Sequence, residues 1–143
     1  MKKEIWKVLN CNNNYAVSNL GKIKRIAGFR RLKVPNNGVM KNMKWGIAPV
    51  KERIIKHFVD ERNRPRVNLQ GKKYFISNLV AQHFIEYKIS DGYKVVVNHI
   101  DNNPNNNCVD NLEWITQKQN IQHSINQGRH SSVIRWLNRS MNL

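Results

Sequence analysis

A chain of 143 residues has the usual size of one domain and can bury an apolar core without metal or disulfide staples. Its 25 lysines and arginines against 9 aspartates and glutamates give a formal net charge of +16, which favours an anionic partner such as nucleic acid, although a merely basic protein would carry the same charge. Its apolar runs, of which residues 93–97 are typical, are far too short to cross a bilayer, so we expect no membrane association.

The N-terminus and the cysteines bear on the compartment. Glu4 and Trp6 stand where a signal peptide would need its apolar stretch, so we expect an intracellular protein. Cys11 and Cys108 are the two cysteines of the chain and lie in unrelated contexts, without a Cys-x-x-Cys spacing. We therefore expect two free thiols.

The first half of the chain predicts short antiparallel strands with basic residues. Residues 15–17 lead through a turn at residues 19–21 into residues 22–26, where charged and apolar side chains alternate. This pattern is typical of a hairpin with one buried side.

A second small sheet with a cationic edge is predicted from residues 53–55, 64–69 and 72–76. Residues 31–52, which include Pro35 and Pro49, show no sustained period. They predict a loop or a loosely formed ribbon between the two sheets.

Two helices are predicted in the second half. The first begins near Ser77 or Asn78, either of which could cap it, and it carries Val80, Phe84 and Tyr87 at helical spacing. That apolar stripe predicts a face packed on the core.

The second helix has clearer boundaries. Thr116 and Gln119 have the spacing of a capping box, Ile121 and Ile125 supply an apolar side, and Gly128 stands where a helix ends. The helix is therefore expected directly after Thr116.

Between the helices, residues 93–97 predict a strand, followed by Asn98-His99, a polar loop that ends at Asn111, and a second strand at residues 112–115. This order lets residues at the end of the first strand face the second helix across a small cleft. A metal ion could lie in that cleft.

The polar residues of this segment form a recognisable series. They are Val97-Asn98-His99-Ile100-Asp101-Asn102-Asn103, Asn106-Asn107, Asp110-Asn111-Leu112-Glu113-Trp114-Ile115-Thr116 and Asn120. The series resembles the ββα-metal core of the HNH homing endonucleases of phages and mobile introns. Residues 4–7 and 15–24 are similar to the NUMOD-type DNA-binding motif that often precedes this core, and residues 75–85 are similar to the family's bridging helix.

The resemblance implies an α+β fold, with small N-terminal antiparallel β hairpins followed by a ββα-metal (HNH) core and a short C-terminal helix. We expect a basic β-rich DNA-binding region at 1–76, the bridging helix and nuclease core at 77–130, and a short basic tail at 131–143, all in one compact unit. Within the tail, residues 132–137 could form a final amphipathic turn or helix.

The resemblance also implies roles for individual residues. His99 matches the general base, an imidazole whose unperturbed pKa of about 6.5 suits proton transfer from water. Asn98 and Asn120 match the positions that hold a divalent ion, Mg²⁺ or Mn²⁺. Asn111 matches the middle asparagine, whose amide can bridge the loop and hold His99 in position. His123, one turn from Asn120, could touch metal or phosphate or be an ordinary surface histidine.

Two positions depart from the family pattern. Ser77 stands where many relatives carry histidine, and a helix cap would explain it. Both expected ligands are neutral amides, whereas magnesium usually takes at least one carboxylate, so we expect DNA phosphates to complete the site. Asp101 and Asp110 are conceivable outer-shell contributors.

Duplex DNA is expected to be held mostly through its phosphates by basic side chains of the hairpins. The candidates are Lys22, Lys24, Arg25, Arg30, Arg31, Arg64, Arg66, Lys72 and Lys73.

The sequence thus predicts a metal-dependent DNA endonuclease that hydrolyses a phosphodiester bond and, having one active site, nicks one strand. No heptad pattern or other dimer signature indicates an oligomeric state. Two alternatives stay open: a non-catalytic DNA-binding or phage assembly module that retains the fold, and an RNA-binding protein.

Overall fold

The computed structural model of the chain describes residues 3–36, 39–87 and 94–128, with side chains except at 34–36 and 39–45. In these ranges the chain forms short strands and two α-helices. In chain order they are β1 (Trp6–Leu9), β2 (Asn12–Ser18), β3 (Ile23–Arg25), β4 (Gly28–Asn36), β5 (Val39–Val50), β6 (Arg53–Ile54), β7 (Phe58–Val59), β8 (Pro65–Leu69), β9 (Lys72–Phe75), α1 (Ile76–Phe84), β10 (Val95–His99), a 3-10 turn (Val109–Asn111), β11 (Leu112–Thr116) and α2 (Gln117–Asn126).

The predicted N-terminal hairpin is the centre of a four-stranded sheet of order β1-β2-β3-β6. β2 and β3 are antiparallel with Val17 opposite Ile23, and both side chains are buried. The prediction that residues 53–55 belong to the second sheet is wrong. Ile54 pairs with Lys24 in the first sheet instead, and Ile55 packs against the core.

The predicted irregular segment 31–52 is largely a long two-stranded ribbon of β4 and β5. The loop alternative is therefore wrong and the ribbon alternative is right. The prolines obscured the strand pattern, because a proline cannot donate a ladder hydrogen bond and lowers strand propensity. A two-stranded ribbon has two edges, so Pro35 and Pro49 are both accommodated in it, at positions opposite Met43 and Phe29.

The second predicted sheet consists of β7, β8 and β9, and its turn at Gln70 and Gly71 has positive φ at both residues. α1 follows β9 directly. The expectation that Ser77 or Asn78 caps this helix is wrong, because the helix already begins at Ile76 and Phe75 occupies the N-cap without a side-chain hydrogen bond.

The core lies where α1 meets the two sheets. The buried face of α1 is made of Ile76, Leu79, Val80 and Ala81. Tyr87 lies beyond the end of α1 and is half exposed, with its ring edge-to-face with Trp114. The packed cluster also takes side chains from β2, β3, β8 and β11, so one core spans the boundary at residue 76.

The segment with the polar series folds as predicted into two strands and a helix. β10 and β11 are antiparallel, with His99 opposite Leu112 and Val95 opposite Thr116. Thr116 and Gln119 form the reciprocal capping box of α2, and Gly128 has a φ of +66° just after the helix. The predicted α+β fold is confirmed.

Two of the segments predicted from sequence lie wholly or partly outside the described residues. Tyr93, at the start of the predicted strand, and the tail at 131–143 lie outside the described residues. Among the helices that the structure does describe, none is long and apolar enough to span a membrane.

Candidate functional site

A groove of about 320 Å³ opens between the end of β10 and α2. It brings together the expected base and both expected metal ligands. The residues that line it are Arg64, Val97, Asn98, His99, Asn102, Pro104, Asn120 and Ser124.

The helix presents Asn120 and Ser124 to this groove, which we call the β10–α2 groove. These two residues are four positions apart, and so they share one face of α2. His123 does not line the groove and is exposed, because its position on the helix turns it towards solvent. The geometry thus gives His123 no place beside the expected ligands and favours the alternative of a surface histidine.

The imidazole of His99 is held from one side by Asn107. His99 Nε2 lies 3.3 Å from Asn107 Oδ1, while the Asn107 amide nitrogen donates to the carbonyl oxygens of Pro104 and Asn105. Because those two contacts fix the amide nitrogen, the atom that faces His99 must be the accepting oxygen. In the neutral imidazole the proton then sits on Nε2 and leaves Nδ1 free to accept a proton.

Asn107 is in turn supported by the N-terminal turn. Asn107 is one of three buried polar residues in the part of the chain that the structure describes, and it is 7% exposed. Gly21, with a φ of +80°, lies so close that a Cβ at this glycine would be 2.8 Å from the Asn107 Cβ. A hydrogen bond from the backbone N–H of Val109 to the carbonyl oxygen of Asn19 joins the same two segments.

Asn111 ties together the polar loop that follows His99. Its Oδ1 accepts from the backbone N–H of Asp101, and its amide nitrogen donates to the carboxylate of Asp101 and to the Asn106 carbonyl. Its own carbonyl oxygen accepts from Ile100, next to His99. Asn111 therefore bridges both ends of the loop.

Asp101 belongs to this loop network. Its carboxylate accepts from the Asn106 side chain at 2.7 Å and from the backbone N–H of Asn103. The hydrogen bond from Asn106, followed by the one from Asn103, lowers the pKa of Asp101, and it stays ionised. Both of its oxygens accept hydrogen bonds within the loop.

Asn98 lies directly opposite Glu113 across the β10–β11 pair. Its amide nitrogen donates a 2.8 Å hydrogen bond to Glu113 Oε1. A carboxylate can only accept, so the orientation of the amide is unambiguous and Asn98 Oδ1 is left as the atom that can bind a cation. Glu113 thus places a negative charge directly behind an expected ligand.

Arg64 is the cation of the groove. Its guanidinium contacts the Asp60 carboxylate at 2.8 Å and lies over the Phe75 ring, 4.5 Å from its centroid. Arg66 shares both partners, at 3.0 Å from Asp60. These contacts hold the guanidinium of an arginine that lines the β10–α2 groove, and a guanidinium there can pair with an anion.

The other candidate DNA-binding residues are spread over several surfaces. Lys22 and Lys24 form exposed or half-exposed ion pairs with Glu4 and Glu52. Lys72 and Lys73 are exposed on β9. Arg25 and Arg30 line a separate groove at the base of the ribbon, and Arg31 is exposed on the ribbon itself.

Sequence reasoning gave no role of their own to two contributors to this site, Glu113 and Asn107, which were quoted only as part of the resemblance. Arg64 was expected as a phosphate contact, but its place in this groove was not expected. The strand register would have found Glu113, because residues directly opposite in an antiparallel pair lie on the same face. The partners of Asn107 and Arg64 are distant in sequence or lie within an irregular loop, so no local pattern indicates them.

The chain is similar to known proteins in both sequence and fold. Residues 83–122 match the family model of the HNH endonucleases. DNA endonuclease I-HmuI of Bacillus phage SP01 is 33% identical over 112 residues. The chain belongs to the HNH homing endonuclease family.

Other members show how much of the chain shares this likeness. An uncharacterized HNH endonuclease of Acanthamoeba polyphaga mimivirus, L247, is 32% identical over 127 residues, or 87% of this chain. A solved structure of the HNH homing endonuclease I-HmuI, described as showing DNA binding and cleavage, superposes over 96% of this chain with a TM-score of 0.63 and 26% identity.

The matched region covers only part of each relative's own length. The likeness covers 73% of this chain but 58% of the phage endonuclease, and it covers 27% of the mimivirus protein. In the solved structure, 68% of that chain is covered. The HNH core and the preceding β-rich region are thus the shared part.

Proposed function

We propose that the chain is a metal-dependent DNA endonuclease that nicks one strand, with His99 as the general base. The observation that carries the proposal is that His99, Asn98 and Asn120 line one groove, which Arg64 also lines. The name of the phage relative, a DNA endonuclease, supports the same reaction class. That relative also makes the cytoplasm of a bacterial host the proposed location.

The donor set of the groove suits a hard divalent cation such as Mg²⁺ or Mn²⁺. Asn98 Oδ1 is unengaged by the bond to Glu113, and Asn120 offers a second amide oxygen. Among the described residues, no three His, Cys, Asp or Glu side chains are grouped to hold a metal ion. Asn98 and Asn120 would therefore hold the ion together with DNA phosphate oxygens, with the charge of Glu113 close behind.

A bound divalent ion would offset the charge that develops on the phosphate and the leaving oxygen. The protein contributes the proton transfer. His99 Nδ1 accepts a proton from the attacking water, while Asn107 holds the opposite side of the ring at Nε2. Arg64 offers its guanidinium to the phosphate oxygens.

The proposal is tested with supercoiled plasmid, Mg²⁺ or Mn²⁺, and four proteins: the parent chain, His99→Ala, Asn120→Ala and His123→Ala. We expect metal-dependent conversion to the open circle, loss of cleavage by about 100-fold or more in His99→Ala, and near-parent activity in His123→Ala, the matched control. DNA left intact but strongly retarded by the parent chain would instead identify a non-catalytic DNA-binding module.

Metal binding gives a test that does not depend on cleavage. We expect calorimetric titration of Mn²⁺ to show weak binding to the free protein and tighter binding to His99→Ala in complex with duplex DNA, because phosphates complete the ligand set. Tight Mg²⁺ binding without DNA would contradict this substrate-assisted site.

A further inference from the structure

A second cavity, of about 310 Å³, shares part of its lining with the β10–α2 groove, and the proposed cleavage step gives it no role. It lies between β10 and the start of α1, so we call it the β10–α1 cavity. Most of its walls are apolar, and Phe75, Val95, Val97 and Trp114 are among them. Sites with mostly apolar walls and a few polar groups are typical of small planar ligands.

The strand register places this cavity on the face of the β10–β11 pair that carries His99. Side chains alternate along β10, so Val97 and His99 point to one face and Asn98 points to the other. Trp114 is directly opposite Val97 and therefore shares the face of His99. His99 itself lines both the groove and the cavity. A DNA strand whose scissile phosphate lies at His99 would therefore bring a neighbouring nucleotide to the β10–α1 cavity.

Arg64 is also common to the groove and the cavity. Among the described residues that line either of them, it is the one arginine or lysine, and none is an aspartate or a glutamate. Its guanidinium is held by the Asp60 carboxylate and the Phe75 ring. The backbone of a bound strand would thus meet a fixed positive charge, without an acidic side chain to repel it.

Trp114 gives the cavity an aromatic wall. Its ring is half-buried and makes an edge-to-face contact with Tyr87, with 5.7 Å between the ring centroids. Val97, directly opposite on β10, packs against the core and supports the same wall. Nucleobases of any sequence can stack on an aromatic side chain. The cavity therefore suits the flat ring of a base.

Ser77 and Asn78 supply the polar edge of the cavity. They belong to the first turn of α1, where Phe75 is an N-cap without a side-chain hydrogen bond. Within the described part of the chain, neither side chain forms a hydrogen bond with another residue. A hydroxyl and a carboxamide can each donate and accept, and a carboxamide can pair with two atoms of one base edge, as with N6 and N7 of adenine. Both side chains are therefore available to a base.

We propose that the β10–α1 cavity takes up one nucleobase of the strand to be cut, out of the base stack, from a nucleotide that adjoins the scissile phosphate. This site rests on the proposed DNA cleavage and adds to it a means of positioning the strand. Trp114 stacks on the base, while Ser77 and Asn78 contact its edge. Arg64 contacts the adjoining phosphate. An anchored neighbour keeps the scissile phosphate in place beside His99.

A mispaired base separates this proposal from ordinary duplex binding, because an unpaired base costs less free energy to remove from the stack. Two short duplexes are compared in the presence of a chelator, so that neither is cut. Each carries one central 5-iodo-2′-deoxyuridine, a photo-crosslinking probe for aromatic side chains, opposite adenine in one duplex and opposite thymine in the other. Affinity is measured for both, and mass spectrometry identifies the crosslinked residue.

We expect the parent chain to bind the mismatched duplex about 10-fold more tightly than the paired one and to crosslink at Trp114. Ser77→Phe, whose ring fills the cavity, should lose both the preference and the crosslink while it keeps the parent affinity for the paired duplex. Gln82→Phe adds the same ring at an exposed position of α1 and should keep both. The urea midpoint of each variant shows that it is folded.

A second pair of variants removes the aromatic wall instead of filling the cavity. Trp114→Leu should lose the mismatch preference. Trp6→Leu, the same change at a half-buried tryptophan that lines neither the groove nor the cavity, should keep it. A preference that survives in Trp114→Leu or in folded Ser77→Phe would overturn the proposal. A crosslink confined to residues outside the cavity in the parent chain would overturn it as well.

These readouts measure binding and are separate from cleavage. A parent chain that captures the mispaired base and leaves plasmid intact would refute the nuclease and support the base site. A parent chain that nicks plasmid, but shows neither the mismatch preference nor the crosslink, would refute the base site alone.

Discussion

His99 Nε2 and Asn107 Oδ1 lie 3.3 Å apart, and the amide that carries this oxygen is locked by two donor contacts to its own loop. Asn107 is therefore a positioning residue, because it touches the base and not the reacting phosphate. It decides which ring nitrogen holds the proton in the neutral imidazole.

Substitution of Asn107 should impair turnover more than DNA binding. We expect Asn107→Ala to lower kcat for nicking by about 10- to 100-fold with little change in KM, since the ring loses its orientation. The double variant His99→Ala/Asn107→Ala should be no slower than His99→Ala alone, because Asn107 acts through the ring. An additive loss in the double variant would contradict this relationship.

Glu113 should control the metal affinity through Asn98. In Glu113→Ala the Asn98 amide loses its 2.8 Å acceptor and the nearby negative charge. We expect the affinity of the DNA complex for Mn²⁺ to fall by about 10- to 100-fold, measured by calorimetry in the His99→Ala background so that the DNA stays intact. Glu61→Gln, which removes an exposed acid that does not line the β10–α2 groove, serves as the control. Equal Mn²⁺ affinities in the Glu113 variant and the control would refute the assignment.

Asp60 should make the free energy of unfolding depend on pH in the acid range. Burial tends to raise the pKa of this carboxyl, but the hydrogen bonds from the Arg64 side chain and from the backbone of Arg64 and Arg62 lower it from 3.8 to about 2. A carboxyl whose pKa is lower in the folded state than in the unfolded state stabilises the fold at pH values above its unfolded-state pKa. This stabilisation is lost as the pH falls through its folded-state pKa.

The urea midpoint should therefore fall more steeply between pH 4 and pH 2 in the parent chain than in Asp60→Asn. Asp60→Asn should also slow nicking, because Arg64, which lines the β10–α2 groove, loses its 2.8 Å ion-pair partner. Glu61→Gln is the adjacent control and should follow the parent curve. Parallel curves for Asp60→Asn and the parent chain would show that the ion pair has no part in acid stability.

Gly21 and Gly71 provide a matched comparison of stability. Both have positive φ, at +80° and +88°, but a Cβ at Gly71 would meet no atom within 4 Å, whereas one at Gly21 would lie 2.8 Å from Asn107. We expect Gly71→Ala to lower the free energy of unfolding by about 1 kcal/mol, the strain of the left-handed backbone. Gly21→Ala should cost about 2 kcal/mol more, because a buried contact must shift.

Urea denaturation measures both differences, and nicking separates them further. Gly21→Ala should also reduce kcat, since the displaced Asn107 supports His99, while Gly71→Ala should retain the parent rate. Equal stability losses in the two variants would mean that the turn does not press on Asn107.

The sequence predicts those parts of the fold in which local patterns and tertiary packing agree. The hairpin around Val17 and Ile23, the β10–β11 pair and the capping box at Thr116 all follow from alternation or capping chemistry. The expected positions of His99, Asn98 and Asn120 in one groove follow from the strand, strand and helix order.

The errors occur where non-local contacts decide. The strand at residues 53–54 is too short for its sequence to indicate which strand it pairs with. Its pairing with Lys24 and Arg25 places it in the first sheet. The start of α1 depends on the end of β9 and not on a capping side chain. The ribbon lacks the alternation of buried and exposed side chains, because none of its residues whose side chains are described is buried.

The contact between Gly21 and Asn107 limits how such proteins can be recombined. If homing enzymes change targets by exchanging their N-terminal halves, a crossover between residues 21 and 107 would join a catalytic loop to a foreign turn. Only incoming segments with a glycine of the same backbone conformation at this point would leave the imidazole of His99 supported. The turn at Gly21 and the loop at Asn107 would therefore have to be exchanged together, because there is no room for a Cβ at residue 21.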